Sequence, residues 1–236
     1  MTDSLTELIL ATLAFVGGHF VLSFRPVRAP LRARLGAGPF QGLYSLIAVA
    51  TLVWMVLAHG AAPDIKLWDA PTFVRHLPLS LMLIAFIFMV AAMTPRNPAF
   101  IWARDARLGD GPSGIFRITR HPMMWGVGLW ALLHLAANGD AASLVFFGGL
   151  ALLALAGPVQ IDRRKRAEMG AEWDAYAAAT SNLPFAAMIS GRTRIQWREI
   201  GWFPVIGGAV LHALVLVLHE PLIGVAPARF LAGIIG

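Results

Sequence analysis

Residues 5–24 read LTELILATLAFVGGHFVLSF, a run of twenty with one carboxylate, Glu7, and one imidazole, His19. At about 1.5 Å of rise per residue such a run forms a helix about 30 Å long, the thickness of the hydrocarbon core of a bilayer. Comparable runs lie at Phe40 to Ala58, Leu77 to Met93, Met123 to Ala137, Ala141 to Gln160 and Trp202 to Leu218. Six spans predict an all-α, polytopic membrane helical bundle of one domain over residues 1–236. Composition agrees, since 58% hydrophobic and 14% charged residues with a mean hydropathy of +0.68 exclude a water-soluble domain.

The charges orient the spans. Sixteen of the nineteen Lys and Arg residues lie in the segments 25–39, 95–120 and 162–201, leaving Lys66, Arg75 and Arg229 for the others. Basic loops stay in the cytoplasm, so both termini are expected on the periplasmic side of a bacterial inner membrane. The net charge of +6 then reports topology and attraction to anionic lipid, with no nucleic-acid role. The acidic start, Asp3 and Glu7 ahead of the first arginines, reverses the charge order of a cleavable signal, so the first span is expected to be retained. Zero cysteines exclude disulfides, iron–sulfur clusters and thiolate zinc sites.

Two cytoplasmic segments carry more than a linker's chemistry. Pro95-Arg96-Asn97-Pro98 predicts a helix break, with turn residues from Asp105 to Gly114. Residues 162–180 predict a polar surface helix with Trp173 and Tyr176 as interfacial anchors, ended by Pro184.

An imidazole in hydrocarbon is costly unless it has a partner or a task, and ligating a metal is one such task. His59, His76 and His219 fall near the predicted outer rim, where water satisfies them. His19, His134 and His212 fall deeper, and His121 sits at the cytoplasmic edge. Counting about 1.5 Å per residue from the cytoplasmic edge puts His19 about 8 Å deep, His212 about 15 Å and His134 about 20 Å. Depth alone therefore pairs His134 with His212 and His19 with His121. Gly17 and Gly18 beside His19 suit the close approach of a flat ligand or of a second helix.

Several ordered segments carry a resemblance: Ala14 to Arg25, Ala58-His59-Gly60 through Leu67-Trp68, Arg117-Ile118-Thr119-Arg120-His121-Pro122-Met123, Leu132-Leu133-His134, Gly170-Ala171-Glu172-Trp173 and Leu183-Pro184-Phe185-Ala186-Ala187. Over nearly the whole chain they resemble the NnrU family, which includes the plant zeta-carotene isomerases. The resemblance implies a heme b protein whose iron is held by two histidines, mapping onto His19 and His134. His121 and His212 stand as substitutes, because the depth ranking separates the implied pair. Arg25, Arg117 and Arg120 are candidates to pair the heme propionates. A cysteine that precedes the second histidine by three residues in the plant isomerases is replaced by Ala131, which bears on isomerase chemistry more than on heme binding.

For function, the resemblance implies a role in nitrite and nitric oxide metabolism, or heme-dependent cis–trans isomerisation of a polyene such as zeta-carotene. A hydrophobic polyene or nitric oxide would be the small-molecule partner, beside the lipid bilayer and an unnamed redox partner. A different class competes, because Arg120-His121-Pro122 followed by a charged helix also resembles membrane methyltransferases that use S-adenosylmethionine on isoprenylcysteine or phospholipid. Those enzymes carry paired acids on the later helix. Here Ile161-Asp162-Arg163-Arg164 offers one acid followed by base, a poorer site for a cationic methyl donor. A non-catalytic assembly factor is the third reading.

Overall fold

In a computed structural model, residues 4–94 and 111–227 are described, and every element among them is helical. They are α1 (Ser4–Ser23), α2 (Arg25–Leu35), α3 (Ala37–Ala61), α4 (Thr72–Ala92), a 3-10 turn (Gly114–Arg117), α5 (Pro122–Asn138), α6 (Ala141–Met169), α7 (Ala171–Ala179), α8 (Ala186–Ile189), α9 (Trp197–Ile200) and α10 (Trp202–Ile223). The break expected at Pro95-Arg96-Asn97-Pro98, the turn residues from Asp105 to Asp110, and Arg229 lie outside the described residues.

Five described helices, α1, α3, α4, α6 and α10, are long and apolar enough to cross a bilayer, so the chain is a multi-pass membrane protein. The sixth expected span is α5. Its 17 residues rise only about 25 Å, a little short of the hydrocarbon thickness.

Residues 162–180 correct the expectation of a separate surface helix. α6 continues through Asp162 to Met169 for 29 residues in all, because Arg, Lys, Glu and Ala favour helix whether or not lipid surrounds them. Gly170, at φ 57°, breaks the rod. α7 then runs only to Ala179, five residues short of Pro184. Trp173 (0% exposed) and Tyr176 (4%) are buried against Met169 and Ala177, so neither is an interfacial anchor.

The described helices assort into two compact units, Met1–Arg75 with His134–Glu168, and His76–Leu133 with Met169–Gly236. In the first unit α1 packs along α3, burying Leu8, Ala11, Phe15, Val16, Met55 and Ala58. Antiparallel register follows from two contacts, Glu7 with Trp54 and His19 with Tyr44. α6 closes on α1 where Gly149 lies against Thr12 and Val16, so a side chain at 149 would collide with Thr12. The reversal into α6 uses Gly139 at φ 76°, whose carbonyl accepts from the backbone N–H of both Leu67 and Trp68. Asp140 caps α6, its carboxylate accepting from the Ser143 N–H at 2.7 Å.

In the second unit Gly126 of α5 lies against Ala85 and Met89 of α4, and Gly208 of α10 against Ile87. Phe86, Met82 and Leu133 form one buried cluster, and Phe88, Ala91, Ile115, Phe116 and Ile118 another.

The natural chain has no cysteine, so single-cysteine variants report topology cleanly. Arg34→Cys in α2 is expected to react with a membrane-impermeant maleimide only after the cytoplasmic face is opened, and Asp69→Cys from the opposite face. Labelling of both from one side would overturn the charge-based orientation.

Candidate functional site

His19 occupies the last turns of α1. Its Nδ1 donates to the Phe15 carbonyl at 2.8 Å, which fixes the proton on Nδ1 and leaves the Nε2 lone pair available. The ring lies 4.4 Å from Phe15 and 5.5 Å from Tyr44 of α3. Side chains built at Gly17 or Gly18 would meet nothing within 4 Å. Among the described residues the two glycines therefore leave space on α1 beside His19, and Gly18 lines a narrow crevice with Tyr44, Ile47 and Ala48 of α3.

His134 sits in the last turns of α5, stacked on Phe147 of α6 at 4.6 Å and 10°. The same Phe147 meets His59 of α3 edge-on at 5.9 Å, and Phe146 lies 4.7 Å from His59. His59, expected to be wetted at the rim, is instead half-buried among aromatic rings, and its buried Nε2 has no hydrogen-bond partner among the described residues. This is a correction with a plain cause, since the aromatic pair on α6 covers it.

The implied ligand pair can now be tested for fit. By donor chemistry His19 suits a metal, with Nδ1 tied to a backbone carbonyl. By position the two do not meet. His19 lies beside Tyr44 and His134 beside the ring that contacts His59, and Tyr44 and His59 are fifteen residues apart on α3, about 22 Å of rise. Two imidazoles that held one metal would have to bring their ring nitrogens within about twice a metal–nitrogen bond of about 2 Å. In this arrangement no single iron takes both, and the histidine that shares a ring contact with His134, through Phe147, is His59.

The remaining candidates lie in the second unit. His121, 2% exposed, precedes α5, and its carbonyl accepts from the Trp125 N–H. The Arg120 N–H donates to the Ser181 carbonyl, while the Thr119 hydroxyl and the Trp125 indole donate to that of Asn182. The Arg-His-Pro segment is thus strapped to residues 181–182 by backbone-directed bonds. His212 of α10 packs 5.9 Å from Phe86, and its buried Nε2 has no hydrogen-bond partner.

Of the three arginines expected near propionates, Arg117 is committed elsewhere. Its Nε and Nη2 donate to the two Glu199 carboxylate oxygens at 2.7 and 3.0 Å, and Nη1 donates to Thr193 at 3.2 Å. This bidentate bond to Glu199 raises the Arg117 pKa. The Gly114 N–H also donates to Glu199, at 2.9 Å. Arg25 opens α2, where with Arg28 it lines a cavity. Two residues without a role in the sequence reading therefore organise their own units, Phe147 in the first and Glu199 in the second. Glu199 alone had a signal, as the one carboxylate between Arg192 and Trp202.

The family described as "NnrU protein" matches residues 7–227. The chain is 30% identical over 159 residues to the chloroplastic 15-cis-zeta-carotene isomerase of Zea mays, covering 66% of this chain and 42% of the relative. It is 38% identical over 80 residues to the Arabidopsis thaliana protein of the same name, covering 34% of this chain and 22% of the relative. The chain thus spans less than half the length of either relative. No solved structure matches.

Breaking the Arg117–Glu199 bond leaves a partly buried guanidinium unpaired, and both side chains are partly exposed (18% and 26%). Glu199→Ala is therefore expected to cost about 1–3 kcal/mol, between surface and buried pairs. Thermal unfolding in detergent measures it, with exposed Arg194→Ala as the control expected to change little.

Proposed function

The chain belongs to the NnrU family, and from that premise we propose that it is a multi-pass protein of the bacterial inner membrane that catalyses cis–trans isomerisation of a hydrophobic polyene, with heme b as cofactor. The observation that carries this reading is the likeness to two plant proteins named for 15-cis-zeta-carotene isomerisation. Isomerisation of a double bond conserves every atom and the net charge of the polyene. The protein must therefore supply an apolar site and a group that transiently weakens the double bond, and no ionisable acid–base pair is required.

Heme b would supply that weakening through its iron. His134 is the imidazole retained in either ligand assignment. His19, with its proton held on Nδ1 and space left at Gly17 and Gly18, serves one assignment. His59, with its unpartnered Nε2, serves the other. Phe15, Phe146 and Phe147 keep water from these rings and present apolar surface to a polyene. The role in nitrite and nitric oxide metabolism implied by the resemblance draws on the same iron. It becomes the favoured reading if heme is bound while the polyene is untouched.

Absorption of the detergent-purified protein from heme-replete cells is expected to show a Soret band that sharpens on reduction, and the protein is expected to convert 15-cis-zeta-carotene, followed by chromatography. His134→Ala should lower both heme loading and conversion at least tenfold. If His59→Ala has the same effect and His19→Ala has none, the second ligand is the ring beside Phe147. The reverse result assigns His19 and requires α1 and the end of α5 to come together in the loaded protein. A colourless protein that leaves the polyene unchanged would sink the proposal.

A further inference from the structure

Four arginines surround one cavity in the first unit. Arg25, Arg28 and Arg32 are spaced by three and four residues along α2, so they share a face, and Arg164 of α6 joins them. The cavity measures about 490 Å³, and one carboxylate lines it, Glu168, 3.8 Å from Arg32. Alanines form much of its floor, which is why space is left between the guanidinium groups.

The charge balance here is the opposite of that at Arg117, which has a carboxylate to itself. Four guanidinium groups face a single carboxylate. Arg28 is the most constrained of them, half-buried with its guanidinium carbon 4.9 Å from the centre of the Phe40 ring. Burial first, and then the positive charge of Arg164, disfavours its charged form, a cost that a bound anion would relieve. The setting indicates which anion. α2 has no buried residue, it carries exposed Phe24 and Leu35 at its two ends, and it joins two membrane-spanning helices. Those are the marks of a helix lying at headgroup depth, where phosphates are the abundant anions.

We propose that this arginine-lined cavity is a binding site for the phosphate of an anionic phospholipid. Guanidinium forks match phosphate oxygens in pairs, and four of them can divide between one headgroup's oxygens without a competing internal partner for each. The site rests on the first unit's geometry alone and stands or falls separately from isomerase chemistry.

The test uses the full-length protein, stripped of lipid in neutral detergent, with native mass spectrometry reading retained dioleoyl-phosphatidylglycerol against dioleoyl-phosphatidylcholine. The wild-type protein is expected to prefer phosphatidylglycerol about tenfold, and the preference should weaken as salt rises. Arg28→Gln with Arg164→Gln should bring it close to unity, while Arg194→Gln in the second unit should not change it. Glu168→Gln, which removes the cavity's negative charge, should strengthen retention several-fold, a gain that a merely damaged fold would not produce. Inorganic phosphate is then added as competitor. No displacement at millimolar concentration supports the lipid headgroup, and displacement supports the same phosphate site with a soluble phosphate as its occupant. An unchanged preference in the double variant, or weaker retention in Glu168→Gln, overturns the proposal.

Discussion

Hydrocarbon does not hydrogen-bond, so every polar group carried into it must bring or find a partner. The first unit is organised around that requirement. Glu7 accepts from the Trp54 indole, and the bond registers α1 against α3 at one end. His19 satisfies Nδ1 within its own helix and places its ring by Tyr44 at the other end. Between them Gly149 lets α6 approach α1, which carries Phe146 and Phe147 to His59.

The buried Nε2 atoms of His59 and His212 have no hydrogen-bond partner among the described residues, and each ring lies against phenylalanine. A buried polar atom left without a hydrogen bond weakens the fold. For His59, distance from an edge carried no information on what covers it, which is the pair Phe146 and Phe147 on α6.

Arginine shows how one residue type serves two ends. Arg117 is neutralised by Glu199, 82 residues away, so its charge ties two segments of the second unit together. Arg25, Arg28, Arg32 and Arg164 line one cavity with a single carboxylate, Glu168, among the described residues, so most of their charge is left without a carboxylate there. Composition counted all of them alike. The presence of a single distant glutamate separates the two cases.

The sequence by itself determined the helices and their membrane setting, because hydropathy and rise per residue are local quantities that need no knowledge of neighbours. It also determined the family, since ordered motifs survive wherever the helices pack. The extension of α6 past Gln160 was legible in helix propensity, yet the change from apolar to charged residues obscured it. Only the tertiary structure decided that Trp173 and Tyr176 are buried, that the Phe147 ring contacts both His59 and His134, and that Arg117 belongs to Glu199. Each of those contacts joins residues on different helices or acts across tens of positions. Such contacts depend on glycine-sized gaps and ring faces, which no periodicity along a single helix encodes.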